Sequence, residues 1–392
     1  MNRPIPPIFA SIAFSLTLVA ATVLLSPVST MAQCSEVISG LRTPLGITQS
    51  NQNNLIVSES GTLGALHSGR ISIVDPSGTR RTLLDGLPAA TNDAGDSSGP
   101  AGVFMRGRTL YVAIGIGNTF LASGLPNLNP ASPIFSSVLA IHFSASIEKN
   151  TLQGFTLPLS AQQTLASGQK VTLSNVEGDK ITVDLIANFP DFTIDPTTPT
   201  GFRGVNPFDL IVVGDQLYVT DGGQNLLRQV DIATGTFSTL ATFPNVGNPL
   251  PIGARTVEAV PTGIAYSDGH LLVTLFRGFP FPAGTSVVEQ VDPQTGAHAP
   301  FISGLRTAID VVPIGEGSQT HYLVLQHSSA GGAPLPPFAN PGLVLRFDTP
   351  AGPPTVVTNC LMRPTSMALD EKTGLLYVTE FGGRIVEISG AL

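Results

Sequence analysis

The chain has no tryptophan, only two cysteines and few charged side chains. Of its 392 residues, 12% are Asp, Glu, Lys or Arg, and the formal net charge is −8. No cluster of Lys and Arg occurs, so the positive patch that binds nucleic acid or anionic lipid is missing. We therefore expect neither of these partners.

Turn-forming and apolar residues are abundant instead. The chain contains 41 glycines and 33 prolines, and 42% of its residues are hydrophobic. Such a composition is typical of an ordered chain with many turns and a packed core, and it argues against disorder. The length fits either one large all-β ring or two domains.

The first 33 residues differ from the rest. Arg3 is their only charge, an apolar run follows over residues 8–25, and a break at Ser26 and Pro27 precedes small residues up to Ala32. This pattern predicts a signal peptide over residues 1–32 and a secreted or periplasmic mature protein, with no membrane contact after cleavage. The apolar run is about 18 residues long, so an uncleaved membrane anchor is the alternative.

One sequence motif, here called the blade phrase, recurs along the chain. Residues 206–225, NPFDLIVVGDQLYVTDGGQN, show it clearly. The valine of its second apolar run has counterparts at Val57, Val112, Val219, Val273, Val324 and Val378. Four of the five gaps between these valines are 51–55 residues, and the fifth is 107. A repeat of this period is typical of propellers and solenoids.

Each repeat contains four short β-rich stretches joined by Gly, Pro and Asp turns, which predicts a four-stranded propeller blade. The last repeat lacks a fourth strand, whereas CSEVISGL at 34–41 is an extra strand before the first repeat. Pairing the two closes the ring and leaves no open sheet edge. We therefore predict an all-β fold: a six-bladed β-propeller over residues 33–392, closed by its N-terminal strand.

The 107-residue gap is assigned to blade two, with an insertion around residues 143–182 that includes a hairpin. A seventh blade is the alternative, because GFTLPLS and QKVTLSN resemble inner strands. In the six-blade register Cys34 begins one outer strand and Cys360 ends another. At about 3.3 Å per residue this places them near opposite faces, beyond disulfide range, although export would favour a bridge.

Carboxylates occupy two kinds of position around the expected channel mouth, where the loops into strand one and between strands two and three emerge. Asp209 and Asp310 lie near the start of strand one, and Glu59, Asp221 and Glu380 end strand two. Converging carboxylates suit Ca²⁺, and buried ones can act as a general base. Asp209 and Asp310 are thus candidate catalytic and metal-binding residues, and the other three are candidate ligand-binding residues. Capping of a turn is the alternative for each.

Other candidates lie on the same loops. His327 is the only histidine at a mouth position and is a third catalytic candidate, although no nucleophile motif accompanies the adjacent serines. The segment LFRGFPFPAG at 275–284 carries Arg277, Phe279 and Phe281, which can line an apolar pocket with a cation at its rim. Packing against a neighbouring loop is the alternative for the phenylalanines.

The segments NPFDL, LYVTDGGQN, VPTGIAYSDGHLLVTLFRGFPFPAGTSVVEQVDP and PTSMALDEKTGLLYVTEFGGRI resemble the ScyD/ScyE family of exported propeller proteins. The likeness covers nearly all of the mature chain, and the blade phrase is shared with NHL-repeat and SMP-30-like propellers. The resemblance implies a secreted or periplasmic six-bladed propeller and brings no established reaction.

SMP-30-like lactonases place Asn or Asp between the Pro and Gly of the strand-one phrase, where they bind a central Ca²⁺. The corresponding residues here are Leu45, Ala101, Phe208, Thr262, Ile309 and Thr365. None is a carboxylate or amide, which departs from the lactonase pattern. Quinoprotein dehydrogenases also use propellers, but this chain lacks tryptophan for cofactor stacking.

Taken together, these features lead us to expect a monomeric propeller that binds a small molecule or an envelope protein at its channel mouth, with no assigned catalysis. No cofactor is predicted, although Asp209 and Asp310 would suit Ca²⁺. The alternative is an SMP-30-like metal-dependent hydrolase, lactonase or isomerase.

Overall fold

The structure is a computed structural model that describes residues 32–329 and 338–391. The predicted signal peptide lies outside these residues, apart from Ala32. None of the helices among the described residues has the length and hydropathy that a transmembrane span requires.

The described part of the chain begins with an outer strand, and three blades follow it. Strand β1 spans Gln33–Ile38. Blade one comprises β2 (Pro44–Gln49), β3 (Leu55–Glu59), β4 (Gly69–Val74) and β5 (Arg80–Leu87). After the short pair β6 (Ala90–Thr91) and β7 (Ser97–Ser98), blade two comprises β8 (Pro100–Arg106), β9 (Thr109–Ile114), β10 (Ser137–His142) and, after an insertion, β13 (Lys180–Asn188). After the hairpin β14 (Phe192–Ile194) and β15 (Phe202–Gly204), blade three comprises β16 (Pro207–Val213), β17 (Gln216–Asp221), β18 (Leu226–Asp231) and β19 (Phe237–Thr242).

Three more blades follow the short pair β20 (Val246–Gly247) and β21 (Thr256–Val257). Blade four comprises β22 (Pro261–Ser267), β23 (His270–Leu275), β24 (Ser286–Val291) and β25 (His298–Leu305). Blade five comprises β26 (Ala308–Ile314), β27 (His321–Gln326), β28 (Gly342–Phe347) and β29 (Thr355–Leu361), with a 3₁₀ turn at Gly317–Gln319. Blade six contains β30 (Pro364–Asp370), β31 (Leu375–Glu380) and β32 (Arg384–Ser389).

Blade six is completed by β1, which pairs antiparallel with β32. The first strands of consecutive blades contact one another in the order β2, β8, β16, β22, β26, β30 and back to β2. The prediction of a six-bladed β-propeller closed by its N-terminal strand is therefore confirmed, and the seven-blade alternative is wrong.

The hydrophobic core is divided into clusters that lie between neighbouring blades. One example joins Ile47 and Val57 of blade one to Ala368 and Ile385 of blade six. Comparable clusters join each of the other neighbouring pairs. Because each sheet is covered on both faces, its strands read as nearly continuous apolar runs in the sequence.

The insertion in blade two contains more than the expected hairpin. It forms α1 (Ala145–Asn150), β11 (Phe155–Thr156), α2 (Leu159–Ala166) and β12 (Val171–Ser174). Strand β12 pairs with β13, whereas β11 pairs in parallel with β5 of blade one. The insertion therefore ties the outer edges of the first two blades together.

The two cysteines form a disulfide, with Cα atoms 6.7 Å apart. The prediction that the two cysteines lie near opposite faces is wrong. It assumed that β29 and β1 lie beside each other at equal heights along the ring axis. Neighbouring strands twist by about 20–25°, so the fourth strand of a blade is steeply inclined to the ring axis. The end of β29 consequently reaches the start of β1, and the Ala32 amide donates to the Val357 carbonyl at 2.9 Å.

Candidate functional site

The central channel contains a cavity of about 440 Å³ that is lined by the first strands of the blades. We call the side on which strand one starts the top face, and the side on which strand one turns into strand two the bottom face. The cavity wall includes Ser50, Asn51 and Asn53 from one bottom-face turn and Glu371 and Lys372 from another. The cavity therefore opens at the bottom face, opposite the mouth expected from the sequence.

Asp209, Asp310 and Ser366 are the polar lining residues nearest the start of their strands, so they form the floor of this cavity. They occupy equivalent positions in their blades, where blades two and four carry Gly102 and Gly263. A Cβ atom on Gly263 would lie 2.7 Å from Asp310 Oδ1, and one on Gly102 would collide with Asp209 Oδ1. The glycines thus leave the space that the carboxyl groups fill.

Each carboxyl group is held by backbone amides of two blades. Asp209 Oδ1 accepts from the Leu210 amide at 2.9 Å, and its Oδ2 accepts from the Ile264 amide of blade four at 3.1 Å. Asp310 Oδ1 accepts from the Val311 amide at 2.8 Å. Its Oδ2 accepts from the Met367 amide of blade six at 2.8 Å and from Ser366 Oγ at 3.1 Å.

The two carboxyl groups influence each other's ionisation. Burial raises the pKa of Asp209, and the nearby charge of Asp310 raises it further. Burial also raises the pKa of Asp310, although its hydrogen bonds to Met367, Val311 and Ser366 oppose the shift. A pair of this kind can hold one proton between two groups near neutral pH, so it offers both a hydrogen-bond donor and an acceptor.

Phe208 precedes Asp209 on β16, so it lies on the top side of this floor. Phe208 of blade three packs against the hydrophobic cluster of blades five and six, which includes Ile309. The Phe208 side chain therefore reaches past blade four, the neighbour of blade three, to a more distant blade. Gly46 and the Ala101 carbonyl also approach closely, since a Cβ on Gly46 would lie 2.5 Å from that oxygen.

The three acids at the ends of strand two do not join the channel floor. Glu59, Asp221 and Glu380 are buried, with 0–1% of their surfaces exposed. Their carboxylates pair with arginines of the third strand of the same blade: Arg70 at 2.5 Å, Arg228 at 2.7 Å and Arg384 at 2.6 Å.

These acids also accept the backbone amides of Arg42, Asn206 and Met362, which precede strand one. The structure therefore places them in ion pairs that fix the start of strand one. A single acidic mouth of the expected kind is not formed, and their ligand-binding role stays a prediction.

His327 is buried on the top side. Its Nδ1 lies 2.8 Å from the Pro364 carbonyl, and its ring contacts Phe276 and Phe338 edge to face. Burial lowers the pKa of His327 to about 4, so the ring is neutral and donates its Nδ1 proton to that carbonyl. The strand-two position equivalent to Glu59 is in fact Gln326, whose Oε1 accepts from the Arg306 amide at 2.7 Å.

The loop after β23 forms an aromatic cluster. Phe281 contacts Phe276, Phe279 and Phe338, with ring centres 4.7–6.0 Å apart. Phe279 is 50% exposed, whereas Arg277 is buried and its Nε donates to the Thr285 carbonyl at 2.9 Å. None of these three candidate residues lines the cavity that contains Asp209 and Asp310.

The residues that the sequence interpretation missed are those of the bottom-face turns. Asp370, Glu371 and Lys372 line the cavity wall, as do Asn51 and Asn53. The sequence signal for these residues lies in two turns, the Asn-rich QSNQNN and the charged LDEKTG. The sequence predicted the mouth on the opposite face, where these turns do not emerge.

Within residues 32–329 and 338–391, no three His, Cys, Asp or Glu side chains cluster as a metal site. Asp209 and Asp310 are two carboxylates, and Ser366 is a third oxygen donor beside them. Ca²⁺ takes six to eight oxygen ligands, so water or a ligand would have to complete the shell. The Ca²⁺ expectation stays a prediction.

No protein-family model matches the chain, and no curated protein matches it either. Among solved structures, the PQQ-bound aldose sugar dehydrogenase from Streptomyces coelicolor aligns with 91% of this chain and 98% of its own, with 14% identity and a TM-score of 0.51. A virginiamycin B lyase from Staphylococcus aureus aligns with 91% of this chain and 98% of its own, with 10% identity and a TM-score of 0.44. At 14% identity the likeness to the dehydrogenase extends only to the fold, and the chain is, by its own strand pairing, a six-bladed β-propeller.

Proposed function

We propose that this protein is an exported β-propeller of the ScyD/ScyE type that binds a small molecule in its central channel. One observation carries the proposal: a cavity of about 440 Å³ that has Asp209 and Asp310 at its floor. Ligand cavities usually measure about 300–1,000 Å³ and combine apolar walls with a few polar groups. The signal-like N-terminus supports export.

The walls and floor define the chemistry of the occupant. Val103, Ile264 and Val311 provide apolar surface, and the carboxyl pair provides polar anchors below them. The best-suited ligand has an apolar body and a head group that donates hydrogen bonds. We propose a small molecule rather than an envelope protein, because a folded surface does not reach the bottom of a narrow channel. We further propose a monomer, since the ring pairs its own sheet edges.

Three probes of matched shape test the head-group preference: benzamidine, benzamide and benzoate. Benzamidine should bind best, with a dissociation constant on the order of millimolar for so small a ligand, benzamide more weakly, and benzoate not at all. Isothermal titration calorimetry measures each. Equal affinity for the three compounds would contradict the role of the carboxyl pair.

Two tryptophan variants locate the binding. Thr48 lines the channel, so T48W should fill it and abolish benzamidine binding. Thr239 lies exposed on outer strand β19, and T239W is the matched control that should bind like the natural protein. Because the natural chain contains no tryptophan, the fluorescence of each variant reports on one site. Undiminished binding to T48W would place the ligand elsewhere.

The raised pKa values of the carboxyl pair favour a second candidate function, acid–base catalysis by a hydrolase, lactonase or isomerase. One carboxyl group would donate a proton to a leaving oxygen while the ionised one activates water. Hydrolysis of δ-valerolactone tests this function, with and without Ca²⁺. An enzyme of this kind loses its activity in both D209N and D310N, and stoichiometric Ca²⁺ in the purified protein would identify the metal-dependent form. Unchanged hydrolysis in both variants would remove catalysis by the pair.

A further inference from the structure

The disulfide joins the strand that closes the ring to the neighbouring blade. Cys34 belongs to β1 of blade six, and Cys360 belongs to β29 of blade five. Cys360 is exposed to solvent, whereas Cys34 is partly covered and packs beside the cluster of blades five and six. An incoming thiolate therefore has its most direct access to the Cys360 sulfur.

A buried hydroxyl group lies beside both sulfur atoms. Thr358 is 1% exposed, and its Oγ1 is 3.1 Å from Cys34 Sγ and 3.2 Å from Cys360 Sγ. The Cys360 amide donates to the same Oγ1 at 3.4 Å, which leaves the hydroxyl proton directed to sulfur. A hydrogen bond of this kind stabilises a thiolate and so assists its departure from a disulfide.

Apart from the disulfide, strand β1 is held by its pairing with β32 and by Val37 and Ile38, which pack against the cluster of blades one and six. None of its six residues is fully buried, and its pairing with β32 is interrupted by a bulge between Glu36 and Ile38. The Arg384–Glu36 ion pair is 3.6 Å long and its side chains are 37% and 45% exposed, so it contributes little stability. The covalent link to β29 is therefore a major attachment of this strand.

We propose that Cys34–Cys360 is a thiol–disulfide exchange site, and that its reduction by a dithiol releases the ring-closing strand. One thiolate of the dithiol attacks Cys360 Sγ, forming a mixed disulfide and releasing Cys34 as a thiolate beside the Thr358 hydroxyl. The second thiol of the reagent then attacks the mixed disulfide. Two electrons and two protons pass from the dithiol to Cys34 and Cys360, and the dithiol becomes a disulfide.

Thr358 acts through the cysteines as a positioning residue, and three variants test it. Reduction of the native protein by dithiothreitol, followed by thiol titration, should be about two- to tenfold slower in T358V, which loses the hydroxyl group. T358S keeps the hydroxyl and should restore the rate. T355V, an exposed change on the same strand, is the control and should leave the rate unchanged. Equal rates in T358V and T358S would overturn the role of the hydroxyl group.

Hydrogen exchange tests the release of β1 in the natural protein. After reduction, exchange of the paired amides of β1 and β32 should accelerate by about thirtyfold or more, while β16–β19 of blade three keep their protection. The C34S/C360S variant should show the fast pattern with and without dithiothreitol. Unchanged protection of β1 after complete reduction would overturn the proposal, and so would a uniform loss across all blades.

Discussion

Asp209 and Asp310 differ from ordinary channel-lining residues because each binds a backbone amide of the following blade. Asp209 connects blade three to Ile264 of blade four, and Asp310 connects blade five to Met367 of blade six. Each also fills the space above a glycine of the preceding blade. The same groups that make the floor of the cavity therefore hold the centre of the ring together.

These carboxyl groups should make the protein less stable as the pH rises above 6.5. The pKa of Asp209 is raised to about 8 and that of Asp310 to about 6, from 3.8 in the unfolded chain. The folded state thus keeps protons that the unfolded chain has released. This stabilisation is complete below the unfolded pKa and is lost as the pH rises through the folded values.

Above pH 6.5 the opposite effect of His327 has ended, because it stops at the ordinary pKa of 6.5. Between pH 6.5 and 8 the free energy of unfolding should fall by about 2 kcal/mol, measured by urea denaturation. D209N should remove this slope. D191N is the control, since burial raises the pKa of Asp191 only to about 6. A slope that persists in D209N would contradict the assignment.

At the scale of the element, the start of strand one is fixed by the end of strand two. Glu59 accepts from the Arg42 amide and pairs with Arg70, and the same arrangement recurs at Asp221 and Glu380. Where the end of strand two is apolar, at Ile114 and Leu275, the third strand carries no arginine. The acid and the arginine therefore occur together in blades one, three and six. In blade five, strand two ends in Gln326 and the third-strand Arg346 pairs with Asp348 instead.

Glu59→Gln should lower the free energy of unfolding by about 3–5 kcal/mol, because it leaves the buried Arg70 guanidinium without a charged partner. Glu36→Gln removes an acid from the exposed pair with Arg384 and should cost about 0–1 kcal/mol. Urea denaturation at one pH compares the two. A similar loss of unfolding free energy in both variants would contradict the claim that burial makes the Glu59–Arg70 pair important for stability.

The sequence predicted the strands well because each blade repeats the same phrase, and it predicted ring closure from an unmatched outer strand. It did not predict α1, α2 and β11, since these elements occur once and have no repeat to compare. The disulfide was not predicted because the register was drawn for an untwisted sheet. In the structure, the strand twist accumulates from the first to the fourth strand of a blade. For the candidate site, the sequence named Asp209 and Asp310, which line the cavity, but the repeat does not reveal the contact of Phe208 with the cluster of blades five and six.

At the scale of the whole molecule, the ring depends on one pairing between distant parts of the chain. Strand β1 covers the edge of β32, whose backbone groups would otherwise be open to another strand. Every other blade is built from one continuous stretch of the chain, interrupted only by loops and the insertion. Blade six is therefore the blade most open to strand exchange between two molecules of this protein.

A variant without residues 33–38 should self-associate through the open edge of β32 and unfold at a lower temperature. Size-exclusion chromatography with light scattering measures the association. A synthetic peptide of residues 33–41 should restore a single-copy species by occupying the edge. A truncated variant that stays monomeric and keeps its melting temperature would contradict this dependence on β1.

The pairing of β1 with β32 also sets an order of events during synthesis. Ile38 leaves the ribosome about 350 residues before Ser389, the last residue of its partner strand. At about 5–20 residues per second, β1 waits roughly 20–70 s without a partner. A nascent chain of this kind has an unpaired β-segment at its leading end throughout translation, which makes that segment a natural client for a holding chaperone.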